Sequence, residues 1–158
     1  MNGLLSTLVT ELCAENTTKN TAPVAVSHQQ LTALLSCARV APSADNSQTW
    51  RFVTVWSPST RKALSQLVIP SIAPFVAEAS VVIVACGVPA LISHVRREQP
   101  FVMIDVPIAI THIVLRATEM QIPYVWTLDC DETAMRAQLG IPAHARVIGL
   151  IALGRDSE

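Results

Sequence analysis

The sequence predicts a domain of mixed helices and strands, α+β or α/β, on three observations. Apolar residues recur at helical spacing in some stretches, and in others they alternate or run unbroken over four to eight residues. The strand-like runs are rich in β-branched residues and bounded by Pro, Gly, Ser or Asp, as buried strands are. The 158 residues suit one domain with a sizeable core, read here as residues 1–158, and no repeat, low-complexity tract or linker divides them.

Residues 4–14 carry Leu4, Leu5, Leu8 and Leu12 on one side of an amphipathic helix, and the polar stretch NTTKNTAP follows. Ser27 and Gln30 make a capping box ahead of Leu31, Leu34 and Leu35, so a helix runs to about Val40, where Pro42 stops it. WRFVTVW, residues 50–56, alternates and supplies the first strand. Ser57 as cap and Pro58 at the first helical position open a helix that reaches about Val68. PSIAPF is a turn or short helix, and ASVVIVAC, residues 79–86, is the second strand. Residues 89–100 suit a short helix with a charged tip.

The longest helical pattern is MIDVPIAITHIVLRATEMQ, residues 103–121, apolar nearly all round and therefore expected to be buried on most faces. Proline is tolerated in a first turn, so Pro107 predicts a start near Asp105. IPYVWTL is a third strand, DETAMRAQLG a helix terminated by Gly140, and ARVIGLIALG a fourth strand.

Apolar residues make up 51% of the chain and charged residues 15%, with mean hydropathy +0.42. Soluble monomers carry nearer a quarter charged residues, so the chain either enters a membrane or covers apolar surface with a partner. The most apolar long uncharged run, residues 79–95, is interrupted by Gly87, Pro89, Ser93 and His94. A spanning helix needs roughly 20 mostly apolar residues. The N-terminus lacks a basic start. A cytoplasmic, obligately oligomeric protein is the expectation. Net charge is −1, with no Lys/Arg cluster beyond Arg96-Arg97, which argues against nucleic-acid binding. The four cysteines form no CxxC or zinc-finger spacing, and Cys37 and Cys86 read as buried structural thiols.

No GxGxxG, GxxxxGK or GxSxG motif is present, so Rossmann, P-loop and serine-elbow chemistry find no support. The four histidines are isolated, and Asp105 with His112, two turns apart on one helix face, reads as a core histidine beside a carboxylate rather than a metal site. What stands out is APSADNSQTW, residues 41–50, where Ser43, Asp45, Asn46, Ser47 and Gln48 crowd between two core elements. Such a loop can aim several amide and hydroxyl groups at a polar ring, with Pro42 fixing its direction. The same residue types also build an ordinary turn, and local chemistry leaves both readings open.

Ala38, Arg39, Ala41, Pro42, Ser43, Asn46, Gln48, Trp50 and Phe52 stand in the register of a pattern AR-x-AP-S-x-x-N-x-Q-P-W-x-F, with Thr49 in place of the second proline. Ile104, Asp105, Ile108 and Ala109 match a helix start, and Leu139–Pro142 with Val147–Gly154 match a closing motif. In these three motifs the chain resembles the nitroreductase family of flavoproteins, over about Ser27 to Gly154.

The resemblance implies an α+β fold, a central, mostly antiparallel sheet of four to five strands flanked by helices, in an interlocked homodimer. It implies FMN at the dimer interface, NAD(P)H as reductant, and an electron-poor organic acceptor of nitro or quinone type. Pro42, Ser43 and Asn46 would line the flavin, with Gln48 and Trp50 bracing the loop. The backbone at Leu128 and Asp129 would face the reactive edge, and no side chain would act as a leading acid or base. Against the family's RRS-x-R phosphate motif the chain has ENTTK, which keeps Thr17 and Lys19 but puts Glu15 and Asn16 where arginines stand. Losing a bidentate cation weakens a phosphate grip. Arg155 is the one cation near the closing motif that could assist. Two other readings stay open: a flavin-free binding or assembly module of the same fold, and a flavin-dependent dehydrogenase of a peptide-derived substrate.

Overall fold

Every residue of β2 (Val81–Gly87) is buried, and the sheet is built around that strand. In this computed structural model residues 23–89 and 100–155 are described. The helix expected over residues 4–14, the ENTTK stretch with Thr17 and Lys19, and the helix expected within residues 89–100 lie outside them, apart from the flanks at 89 and 100.

β1 (Trp50–Val55), β2, β3 (Tyr124–Thr127) and β4 (Arg146–Leu153) form one sheet in the order β1-β2-β4-β3, and every pair is antiparallel. This is the α+β arrangement that the resemblance implied. Strand side chains alternate between faces, so Val81, Ile83 and Ala85 enter one core while Val82, Val84 and Cys86 enter a second. A strand buried on both faces reads as a continuous apolar run, which is why residues 81–86 carry no polar position.

The first face is covered by α1 (His28–Ala38) and α4 (Val102–Glu119), which pack on each other. Leu31, Leu34 and Ala38 of α1 meet Val106, Ala109, Ile110 and Ile113 of α4 in this core. The second face is covered by α2 (Pro58–Ser65), α3 (Ala73–Glu78) and α5 (Glu132–Leu139), through Leu64, Val76 and Met135. Burying an aliphatic side chain of this size contributes roughly 1.5–3 kcal/mol each.

The capping box holds: Gln30 N–H donates to Ser27 Oγ at 3.1 Å, and Ser27 N–H donates to Gln30 Oε1 at 2.8 Å. Ser57, by contrast, makes no side-chain cap bond; its hydroxyl pairs with Ser59 Oγ at 2.9 Å. That helix ends at Ser65 rather than Val68, because Val68 forms a β-bridge with Cys130. The long helix begins at Val102, not near Asp105, and Pro107 lies inside it. Pro107 lacks the N–H that Met103's carbonyl would accept, and Met103 is an exposed residue. The expected start erred because one missing bond at an exposed turn is outweighed by the packing of Val102 and Val106. Cys86 is buried as expected, and burial pushes its thiol up to about 11. Cys37 is only half-buried, since its position on α1 faces away from the sheet core.

Two glycines set close approaches. A Cβ at Gly87 would lie 1.7 Å from Val102 Cγ2, so glycine lets the first turn of α4 dock on the end of β2. A Cβ at Gly149 would lie 2.4 Å from the Thr127 carbonyl, at the exit of β3.

Candidate functional site

The chain leaves α1 at Arg39, passes Pro42 and tightens into a 3₁₀ turn over Ala44–Asn46 before β1. Asp45, Asn46 and Gln48 all have positive φ, at 51°, 52° and 45°. Side chains disfavour that region by about 1–2 kcal/mol per residue, and Asn and Asp tolerate it best. Three such residues within four positions need support from outside the loop.

The support is Asp105 on α4. Its carboxylate accepts the Ala44 N–H with Oδ1 at 3.2 Å and Oδ2 at 3.3 Å, from 61 residues along the chain. Asp105 is 3% exposed, and no cation among the described residues pairs with it. Burial pushes its carboxyl above the usual carboxylate range, while the Ala44 N–H pulls it back. Within the loop Gln48 N–H donates to Ser43 Oγ at 3.0 Å, and Gln48 Nε2 donates to Asn46 Oδ1 at 3.1 Å. Ser43, Asn46 and Gln48 are thus brought into one hydrogen-bonded unit, with Trp50 buried beneath as the first residue of β1. Ser47 Oγ and Thr49 Oγ1 are buried and have no hydrogen-bond partner among the described residues. Buried hydroxyls are ordinarily satisfied, so this pair marks a place where polar groups are held ready.

Leu128 and Asp129 lie elsewhere, just past β3. The Asp129 N–H donates to Thr127 Oγ1 at 2.9 Å, and Leu128 is exposed. β3 exits and β1 begins toward the same Gly87 end of the sheet, but on its two opposite edges, with β2 and β4 between. Three interstrand spacings separate them, roughly 14 Å. Arg155 pairs with Glu78, and its N–H donates to the Val24 carbonyl at 3.0 Å. No hydrogen bond or ion pair among the described residues joins the loop to Leu128, Asp129 or Arg155. His112 Nδ1 lies 2.9 Å from the Ile108 carbonyl, a bond within its own helix. The role of Asp105 in the loop was missed by sequence reasoning, which placed it at a helix start; its signal was a carboxylate set in the otherwise apolar first half of that helix, residues 102–110.

The family model of the nitroreductase family matches residues 17–155. The chain belongs to the nitroreductase family. A protein of Archaeoglobus fulgidus, named as a candidate NADH dehydrogenase/NAD(P)H nitroreductase, is 30% identical over 135 residues, covering 82% of this chain and 74% of that protein. The crystal structure of a nitroreductase family protein from Clostridium novyi NT superposes with a TM-score of 0.79 at 26% identity, covering 87% of this chain and 80% of the other. An FMN-dependent nitroreductase from Clostridium difficile R20291 gives 0.74 at 23% identity, over 87% and 80% of the two chains, and shares the fold. Family membership makes this nitroreductase-family chain an oxidoreductase by kinship. Among the described residues no helix is long and apolar enough to cross a membrane.

Proposed function

We propose that this protein is an FMN-dependent oxidoreductase that takes reducing equivalents from NAD(P)H and delivers them to an electron-poor organic acceptor of nitro or quinone type. The observation that carries the reading is the Pro42–Gln48 loop, held left-handed at three residues by a buried carboxylate from another element. A turn that merely joined a helix to a strand would relax into cheaper backbone conformations.

The residues present fit a flavin. The isoalloxazine edge offers carbonyl acceptors and ring N–H, and the loop offers hydroxyls and an amide side by side. Ser47 Oγ and Thr49 Oγ1 are the orphaned polar atoms of that loop. Pro42, Ser43 and Asn46 line the ring and Gln48 braces them. Asn46 keeps its amide hydrogens for the ring while its Oδ1 is occupied by Gln48. The backbone at Leu128 supplies the opposite side; Asp129 can donate its own N–H only by releasing Thr127. Thr17 and Lys19 hold the phosphate, and Arg155 joins them with the guanidinium N–H groups that Glu78 leaves open. When bound, FMN supplies the redox chemistry, a hydride received from the nicotinamide and passed to the acceptor; the chain orients it and excludes water.

A homodimer supports this division of labour. Groups on opposite sheet edges, roughly 14 Å apart, meet one ring most simply when each comes from a different subunit. The exposed apolar residues Val40, Met103, Ile104, Trp126 and Leu128 give such an interface its surface. Light scattering should then return twice the 17.0 kDa chain mass.

The test is an absorbance spectrum of the purified protein after loading with FMN and desalting. Retained bands near roughly 370 and 450 nm, together with NAD(P)H-dependent bleaching, support the reading. A colourless protein sinks it and turns the fold into a flavin-free module.

A further inference from the structure

A cavity of about 430 Å³ opens on the sheet face opposite α1 and α4, at the β1 edge. It exists because α5 has only eight residues and ends at Gly140, with φ 65°, before the chain turns away through Pro142. The helix covers β4 and leaves Arg51 and Val53 of β1 facing Leu139 and Ile141 across a gap, with buried Cys86 below and His144 on the rim. None of Pro42–Gln48, Leu128, Asp129 or Arg155 lines it.

Arg51 is oriented from behind. Its Nη1 donates to the Trp50 carbonyl at 2.7 Å and the Gln48 carbonyl at 3.3 Å. No carboxylate among the described residues pairs with it. Its Nε and Nη2 are the same pair of donors with which Arg146 grips Glu132, at 2.7 and 2.9 Å. A guanidinium offering two parallel N–H groups selects a carboxylate, and one cation in an otherwise apolar wall selects a single one. The volume lies in the range of small-ligand pockets lined by apolar side chains with few polar groups.

We propose that this cavity binds a hydrophobic monocarboxylate, with its carboxylate on the Nε–Nη2 edge of Arg51 and its apolar body against Val53, Leu139 and Ile141. The site is separate from the proposed flavin loop and does not depend on it. Both share one residue neighbour, since Arg51 also holds the Gln48 carbonyl.

The probe is 2-naphthoate, titrated into the full chain with labelled Ile, Leu and Val methyl groups and followed by NMR. Its amide, 2-naphthamide, is the uncharged control of the same shape. The expected result is saturable shifts at Val53, Leu139 and Ile141, with affinity about tenfold weaker for the amide and for Arg51→Gln. Arg51→Lys should fall between, and Ile141→Trp, which fills the gap, should abolish the shifts at Val53. Unperturbed methyls of Val82 and Ile151 in the sheet core report that each variant is folded. The proposal is overturned by shifts confined to methyls elsewhere such as Leu128, by equal binding of acid and amide, by unchanged affinity in Arg51→Gln, or by no saturable binding at all.

Discussion

The loop Pro42–Gln48 and the turn Thr127–Asp131 are both short connections at the same end of the sheet, yet they are held differently. The turn closes on itself at Thr127 Oγ1, which takes the Asp129 N–H, and beyond it is held by backbone pairing alone: Cys130 bridges Val68, and the Asp131 N–H donates to the Leu67 carbonyl at 2.8 Å. The loop is satisfied from without, by Asp105 on a distant helix, and keeps three residues in a disfavoured backbone region. The turn asks for no particular side chain at a distance and has no residue of positive φ. A loop whose shape is imposed by the core has a conformation that serves something besides connection.

Substitutions break that comparison most sharply at Asp105. Asp105→Ala leaves the half-buried Ala44 N–H without its acceptor and should cost about 1–3 kcal/mol in chemical denaturation, with the loop becoming the first site of limited proteolysis. Asp105→Asn keeps an oxygen for Ala44 and should cost less. It also isolates a pH effect. Because Asp105 has its folded pKa raised from an ordinary 3.8, the folded chain binds that proton more tightly. Its contribution to stability is full below about 3.8 and is lost as pH rises through the raised value. The stability of wild type relative to Asp105→Asn should therefore fall as pH rises above about 3.8; a flat difference would mean the carboxyl is not perturbed.

Next in size is the turn. Thr127→Val removes the only acceptor among the described residues for the Asp129 N–H and should cost about 1 kcal/mol, read as a lower denaturation midpoint, while FMN retention on desalting holds or rises because that N–H is freed for the ring. Asn46→Ala should do the reverse: little loss of midpoint, but FMN lost on desalting more readily than from Gln48→Ala. The opposite order would reassign which side chain meets the ring. The smallest effect is expected for Gln48→Gly. Relief of a left-handed residue is offset by about 0.5–1 kcal/mol of added chain entropy, so its midpoint should stay within error. A marked loss there would mean that the Gln48 side chain, rather than its backbone, sets the loop.

How much of this was legible in the sequence depends on the range of the forces involved. The Ser27–Gln30 box was readable because both partners sit within one turn, and the double-sided burial of β2 was readable because no polar residue interrupts it. Ser57 misled because a residue with capping chemistry found Ser59 instead of the helix backbone. The left-handed residues at Asp45, Asn46 and Gln48 could not be read locally, since none is glycine and the group that holds them lies on α4. The antiparallel sheet came with the family resemblance but its strand order did not, as alternation alone says nothing of which strands pair. The loop was marked by its composition, but its tether was not.

The placement of β4 has a consequence for how the chain comes into being. It is the last of the four strands to be synthesised, yet it sits between β2 and β3. Until it emerges, β2 can pair only with β1, and its other edge offers free backbone groups along an entirely apolar strand, a template for unwanted association. Each neighbour of β4 must wait for it across a long stretch of chain, which slows folding relative to hairpin-built sheets. Newly made chains should be most in need of a chaperone in the interval between the completion of β2 and the arrival of Arg146–Leu153.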